Sequence, residues 1–562
     1  MLDLIASEKP VARPAPTHSE EDEPTDPTPT GCTLEENQRL SASRLWRWQR
    51  QYFEEQGVDA WRHSIVPHYV TCNPVVATAY ARVVFGYLRD LVRESRLGFD
   101  ATRPLHVLEL GAGSGRFSYH FLKKLVPMLQ RSALSHLRVK VVMSDFSARY
   151  IAFWTQLPLL QDYVSQGWLD FAQVDASDPQ DIVLQHSGEV LSATQPGNPL
   201  VVIANYVFDG IEQDAFYVSG GKLQESLVSL HSPQPEPNLR DATLLQRLRI
   251  GFAQRPARAE DHYPEPELNH ILQAYQSRLV DTHVLLPTQA MRCITHLRRL
   301  CGNRMLLLSA DKGVSREEDL LFGGEPKLVH HGSVSLMVNY HALGLYVEQQ
   351  GGLMLTPPHR HQSLHVCAAL FDAQPLTPEH SRALVETRQA YGEHICDAGP
   401  DDFYTLRRFV QANASELDVP QMLAYLRLSG WDANNFQACY KPLLKCAETM
   451  EGPQRREVAA MAAQVWNTYF PLGEEGDMAF ALGKLLCEVE DYAGAIVHLQ
   501  RSRQWYGDTV DTLHHIGLCQ YHLQQWSQAL EHVLHALRVD PAHDPARALL
   551  IAIRSELRRH QV

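Results

Sequence analysis

Val107-Leu108-Glu109-Leu110-Gly111-Ala112-Gly113-Ser114-Gly115-Arg116 is the stretch whose reading decides the fold. An apolar run that breaks into three alternate glycines strips side chains from a strand-to-helix turn and lets backbone approach something bulky. The first amides of the following helix can then face a carboxylate or phosphate. The spacing excludes two common alternatives. The dinucleotide fingerprint G-x-G-x-x-G needs glycine where Arg116 stands, and the phosphate loop needs G-K-[ST], which is absent. A nucleotide-like ligand remains the reading.

Working outward, a helical stretch from Phe117 to Gln130 leads to the apolar run Leu137–Ser144, which ends in Asp145. An acidic residue at the tip of a second strand can accept both hydroxyls of a ribose. A third strand, Leu169–Val174, ends in Asp175, placing Asp175-Ala176-Ser177-Asp178 where a loop would pass an adenine amino group. A fourth, Leu200–Ala204, ends in Asn205-Tyr206-Val207-Phe208-Asp209. In an open α/β sheet the ligand crevice lies outside the carboxyl ends of the strands, so one edge collects Glu109, Asp145, Asp175, Asn205 and Asp209. A single acid is more often a helix cap, but an ordered series at strand ends is not.

The form E-x-G-x-G-x-G, with Glu109 leading, resembles the first motif of class I S-adenosylmethionine methyltransferases. Tyr69-Val70-Thr71 before a helix, Ala204-Asn205-Tyr206-Val207-Phe208-Asp209-Gly210, and Val338-Asn339-Tyr340-His341-Ala342-Leu343 follow in matching order over residues 60–375. Together they look like the MidA family of that class. The resemblance implies an α/β Rossmann-like methyltransferase domain using S-adenosyl-L-methionine. Glu109, Gly111, Gly113 and Gly115 would hold its methionine part, Asp145 its ribose and Asp175 its adenine side, with Asn205 and Asp209 orienting the acceptor. The family's mitochondrial members are protein arginine methyltransferases serving respiratory complex I assembly, which implies a protein or peptide acceptor. Two places depart from the family pattern. Tyr206 and Gly210 stand where Asn-Glu-x-x-Asp-Ala has Glu and Ala, and Ala310-Asp311-Lys312-Gly313 stands where Asp-Tyr-Gly follows the fifth strand. A phenol is neutral at pH 7 and a poorer base than a carboxylate, so the change at Tyr206 weakens the arginine assignment.

At 562 residues the chain exceeds the size at which single cores stop growing, and 44% hydrophobic residues supply ample core, so at least two domains are expected. A net charge of −14 with no dense basic stripe argues against a nucleic-acid partner. Ten scattered cysteines without a C-x-x-C pair indicate neither zinc nor a disulfide framework, and a reducing cytoplasm is the expected compartment. Neither a signal-like N-terminus nor a membrane-length apolar run is present. Residues 1–33 are proline-rich and acidic and are expected to be a disordered tail. Trp46, Trp48, Tyr52 and Phe53 then fall in a helix ending at Gly57, and a second helix is expected over Val75–Glu94.

Between the fourth and fifth strands an insertion of about 211–284 is expected as a long loop covering the site. His359-Arg360-His361 and His365, before an apolar run read as a helix, present too few converging ligands for a metal, and none is expected. His330-His331-Gly332 reads as a loop. Residues 34–375 thus form the methyltransferase-like domain. Residues 376–562 read as an all-α domain in which Leu482-Gly483 recurs as Ile516-Gly517, Ala495 as Ala529 and Leu499 as Val533, a period of 34. That is the tetratricopeptide spacing, over about 476–543, with a capping helix from about Pro545 to Arg559. Its expected role is to recruit a protein or peptide partner. Two other readings stay open, a small-molecule or natural-product methyltransferase and a non-catalytic assembly protein that keeps a vestigial cofactor site.

Overall fold

A computed structural model describes residues 31–560, apart from 63–65, 67, 95–96, 362, 377–383 and 473–475. The expected tail lies outside the described residues up to residue 30, and regular structure is already present at β1 (Cys32–Gln38). The tryptophan-rich helix forms as α1 (Arg44–Gln56). Ser43 caps it by accepting the Leu45 amide, and Gly57 at φ +54 ends it. A single turn, α2 (Asp59–Arg62), precedes α3 (Pro74–Arg93), whose Asn73 cap accepts the amides of Val75 and Val76.

The strands follow within two residues of their expected bounds: β2 (Leu105–Leu110), β3 (Val139–Asp145), β4 (Leu169–Gln173) and β5 (Leu200–Asn205), with α4 (Arg116–Gln130) springing from the glycine turn. Every residue of β2 is buried, as expected of a strand covered on both faces.

The insertion is not a loop. It folds as β6 (Asp214–Ser219), β7 (Lys222–Ser232), β8 (Arg249–Pro256), α5 (Pro266–Arg278) and β9 (Thr282–Leu286). These strands join β1 in a second, antiparallel sheet of order β1-β7-β6-β9, with β8 on the free side of β7. Gly220 and Gly221, at φ +56 and +72, close the β6–β7 hairpin as a two-residue turn requires. Proline-rich stretches around 233–237 and 256 lie between these strands or at their ends, and their loop-like composition drew the whole insertion into a loop reading.

The chain then adds α6 (Thr288–Leu300), β10 (Met305–Asp311), α7 (Tyr340–Gln349), β11 (Leu353–Leu355) and β12 (His365–Phe371). The run after His365 is therefore a strand, correcting the helix expected there. It is seven residues long and wholly buried, the case in which apolar periodicity cannot separate strand from helix. The main sheet has the order β11-β12-β10-β5-β2-β3-β4, parallel except at β12, which runs antiparallel to both neighbours. The chain winds outward from β2 to β4 and then returns to β5 on the other side of β2. Strand order reverses there, and the crevice of such sheets opens at that point.

Helices fill both faces. On the α3–α4 face the core continues beyond residue 375 into Leu384, Tyr391, Ile395, Phe470 and Leu472. The buried Asp90 of α3 accepts the amides of Glu386 and Thr387 and the Thr387 hydroxyl, fixing the start of α8 (Val385–Tyr391) against the sheet. The helical segment thus shares a core with the sheet rather than standing apart at 375/376. Beyond α9 (Pro400–Ala412), α10 (Val419–Leu428), α11 (Ala433–Cys446) and α12 (Gly452–Thr468) come two helix pairs and a last helix. These are α13 (Met478–Glu488) with α14 (Tyr492–Tyr506), α15 (Val510–His522) with α16 (Trp526–Val539), and α17 (Asp544–Arg559). A Cβ on Gly483 would come within 2.7 Å of the Leu499 side chain, and one on Gly517 within 2.7 Å of Val533. The same contact therefore recurs 34 residues on, at both crossings.

Candidate functional site

The carboxyl ends of the parallel strands border a cavity of about 170 Å³. On its β2 and β3 side are Leu110, Gly111, Asp145 and Phe146. The side chains Trp46, Arg50 and Phe53 of α1 and Trp61 of α2 roof it, and Asp209, Lys312 and Ser335 stand at its other end.

Each glycine of the turn has a stated reason. Gly111, Gly113 and Gly115 have φ of +61, +50 and +79, a region that L side chains seldom adopt. A Cβ at 113 would meet the Trp61 indole at 2.8 Å, and one at 115 would meet the Met143 methyl at 2.7 Å. The turn is held from both sides. The Gly113 amide donates to Asp145 Oδ2 at 3.1 Å, and its carbonyl accepts from the Trp154 indole at 2.9 Å. Asp145, 4% exposed, also accepts the Ser147 amide at 3.3 Å. Burial pushes its carboxyl up to about 7 in spite of these amides and of the Arg50 charge nearby.

Four of the eight residues chosen from the sequence border the cavity: Gly111, Asp145, Asp175 and Asp209. Glu109 does not. It lies beneath the turn and accepts the Ser118 hydroxyl, joining β2 to α4, and burial pushes its carboxyl up to about 8. Gly113 and Gly115 shape the turn from behind without lining the space. Asn205 is also set back. Its Oδ1 accepts from the Tyr80 hydroxyl at 2.9 Å, while its buried Nδ2 has no acceptor among the described residues.

Asp175 borders the cavity with its carboxylate already engaged. Arg50 donates to it through both terminal nitrogens, one at 2.9 Å, and Ser177 through its amide at 2.9 Å. Burial works against its charge, but these donors hold the carboxyl below its usual range. The Arg50 guanidinium also lies 4.8 Å from the centre of the Phe146 ring, so α1 is bound down across the β3 and β4 ends. Gln49 ties the same helix to the other side by accepting the Val334 amide at 2.9 Å and donating to its carbonyl.

Three features of the site were not read from the sequence. Arg50 and Trp61 come from the N-terminal helices, 61 and 50 residues before the first glycine of the turn they cover. Asp311 ends β10, next to β5, and its buried carboxyl interacts with that of Asp209. The available signal was the place of Asp311 at the end of the apolar run from Met305. Tyr206, the residue in the Glu place, has φ +53, an uncommon conformation for an aromatic residue and a mark of strain at a strand tip.

The His361 and His365 rings are paired at 2.6 Å between their Nδ1 atoms, and burial pushes His365 down to about 3. Among the described residues no three His, Cys, Asp or Glu are grouped to hold a metal. No helix among them is long and apolar enough to cross a membrane.

No protein-family model matches the chain, and no curated protein does. Among solved structures, a superfamily protein from Burkholderia thailandensis described as uncharacterized aligns at 17% identity, covering 56% of this chain and 72% of its own, with a TM-score of 0.33. A second protein from that organism, described as a candidate methyl transferase and solved with S-adenosyl-homocysteine, aligns at 16% identity over 56% and 73%, with a TM-score of 0.34. Magnesium protoporphyrin IX methyltransferase from Synechocystis PCC 6803, also with S-adenosyl-homocysteine, aligns at 14% over 57% and 97%, with a TM-score of 0.25. None of the three reaches a TM-score of 0.5.

Proposed function

We propose that the chain is an S-adenosylmethionine-dependent methyltransferase that binds its cofactor at the β2–α4 turn and acts on a protein or peptide acceptor. One observation carries this reading. At the point where strand order reverses, three glycines with positive φ make a side-chain-free turn beside a buried carboxylate, Asp145, that ends the adjoining strand. The turn fits a ligand that must come close to backbone, and Asp145 Oδ1 keeps lone-pair capacity for ribose hydroxyls. Asp175 fits the adenine end less directly, because its carboxylate is spent on Arg50. The neighbouring Ala176 and Ser177 also border the space.

Size sets a condition. Sites that bury drug-sized ligands run to about 300–1,000 Å³, and the partly open cavity here holds about 170 Å³. What narrows it is α1–α2, so the two helices carrying Arg50 and Trp61 lift to admit the cofactor and settle back over it, excluding water from the reacting centre. When bound, the cofactor supplies a sulfonium-activated methyl group. The chain supplies alignment: the glycine turn and Asp145 hold the donor end, and the β5 tip with Asp209 holds the acceptor end. The 34-residue helix pairs are read as tetratricopeptide-like units that bring the acceptor to this mouth. An assembly protein with a vestigial site is the rival that the small cavity favours.

Incubating the full chain with methyl-labelled S-adenosylmethionine and a proteome, followed by mass spectrometry of tryptic peptides, tests the reading. Label on protein side chains is expected. Label confined to small metabolites overturns the acceptor class, and no label anywhere favours the assembly protein.

A further inference from the structure

The buried carboxyl pair at the acceptor end of the cavity has a role beyond orienting a substrate. We propose that Asp311 is a positioning residue that holds the pair's one proton, leaving Asp209 as the anion that takes a proton from the methyl acceptor. This rests on the methyl-transfer reading above.

The pair is a product of the sheet. β5 and β10 are parallel neighbours, with Asn205 opposite Ala310, and the Tyr206 amide donates to the Ala310 carbonyl at 2.9 Å. The turn after Tyr206 then brings Asp209 back over Asp311, where the Asp209 carbonyl accepts the Leu336 amide at 3.0 Å. Asp311 is fully buried, and Asp209 is 7% exposed and borders the cavity. Two interacting carboxyls in such a buried place do not readily ionise together, so they share one proton.

The surroundings decide which oxygen keeps it. Asp311 Oδ2 accepts from the Tyr340 hydroxyl at 2.9 Å and from the Ser309 hydroxyl at 3.4 Å, both neutral donors. Its Oδ1 is buried without a donor among the described residues, the position a protonated oxygen takes when it donates to a neighbour. Asp209 instead feels the Lys312 charge and the Ser335 hydroxyl. The other titratable groups against the pair are Tyr206, Tyr80, Tyr340 and Cys367, all neutral because burial raises each of them. Burial raises both carboxyls, Asp209 to about 6 and Asp311 well above the usual carboxylate range, the latter aided by the Asp209 charge.

The consequence is a class of acceptor. As the bond from the acceptor atom to the methyl carbon forms, the sulfur–carbon bond breaks and its electron pair stays on sulfur, while the acceptor's proton passes to Asp209. A positive sulfonium and a negative carboxylate become a neutral thioether and a neutral acid, so charge is lost in a site of low dielectric. The acceptor must therefore arrive as a neutral N–H or O–H group. A carboxylate acceptor has no proton to give and is repelled by the pair.

Infrared difference spectroscopy of the full chain at pH 7, wild type against Asp311→Asn and against Asp209→Ala, tests the assignment. Asn at 311 can still donate to Asp209, so fold and pair geometry are kept. Loss of a protonated-carboxyl band in Asp311→Asn and of an ionised-carboxylate band in Asp209→Ala is expected, with S-adenosyl-homocysteine affinity in both variants within about threefold of wild type. The opposite pattern, an ionised band lost with Asp311, overturns the proposal. If Asp209→Ala fails to fold, Tyr340→Phe replaces it: the protonated band of Asp311 must then shift, and an unshifted band overturns the proposal equally. Failure of the wild type to bind S-adenosyl-homocysteine would strike at the cofactor reading and leave the proton assignment standing.

Discussion

Gly113 shows how much of the site a single residue can carry. Its φ of +50 strains any L side chain by about 1–2 kcal/mol, and its Cβ position is taken by Trp61. Gly113→Ala should keep the helical content of the chain but push Trp61 out of its place and weaken S-adenosyl-homocysteine binding by about tenfold or more. Calorimetry together with tryptophan fluorescence would register both, and unchanged affinity with unchanged fluorescence would contradict the close approach. Three acids at the site pull the pH dependence of stability in one direction. Glu109, Asp145 and Asp209 are raised by burial to about 8, 7 and 6. Unfolded carboxyls titrate near about 4, so above that pH the folded chain holds protons the unfolded chain has released. Stability then falls as pH rises through the window up to those values. Buried histidines such as His120 and His365, both pushed down to about 3, act in the opposite sense up to about pH 6.5, so the ligand-free thermal midpoint should decline only from about pH 7 to about pH 8, with a shallower decline in Glu109→Gln. A midpoint that climbs over that range would show the acids to be ionised and paired. At this scale the glycines and the strand-end acids were legible because each follows its own apolar run. Asp311 was not, because its meaning depends on β10 lying beside β5.

Among the elements, α1 does work that its sequence does not announce. It is joined to β4's end by Arg50–Asp175 and to Val334 by Gln49, so it spans the crevice as a strap held at two sides. Removing one tie should free it: Arg50→Ala is expected to speed S-adenosyl-homocysteine association severalfold in stopped-flow fluorescence. It should also speed amide exchange across Arg44–Gln56, with the sheet unaffected. An unchanged association rate with unchanged exchange would mean that the strap does not control access. The main-sheet strands were legible because parallel strands covered on both faces read as continuous apolar runs. The second sheet was not, since its strands are antiparallel and separated by proline-rich links, and one of them, β1, pairs with a segment about two hundred residues away. A stretch such as β12 was read with the wrong period for lack of any turn signal within it.

The whole molecule is more unified than a methyltransferase unit with an appended array. The 34-residue period was legible because glycine at a helix crossing and its opposing aliphatic residue both recur. The shared core was not, because Phe470 and Leu472 reach the sheet from nearly a hundred residues beyond its last strand. Two truncations separate the parts. A chain ending at 376 lacks Leu384, Tyr391, Phe470 and Leu472 and should be recovered aggregated or unfolded. A chain ending at 507 keeps them and should fold, since helix pairs in such stacks depend on their neighbours alone. Circular dichroism melts of the two would decide, and a cooperative melt from the shorter chain would contradict the shared core. The central claim, that the β2–α4 turn and Asp145 hold one molecule of S-adenosylmethionine, is tested most directly by calorimetric titration of the full chain with S-adenosyl-homocysteine. The account predicts one site per chain with a dissociation constant in the micromolar range, weakened at least about tenfold in Asp145→Ala with its thermal midpoint still measurable. No heat of binding in the wild type, or equal affinity in Asp145→Ala, would contradict it.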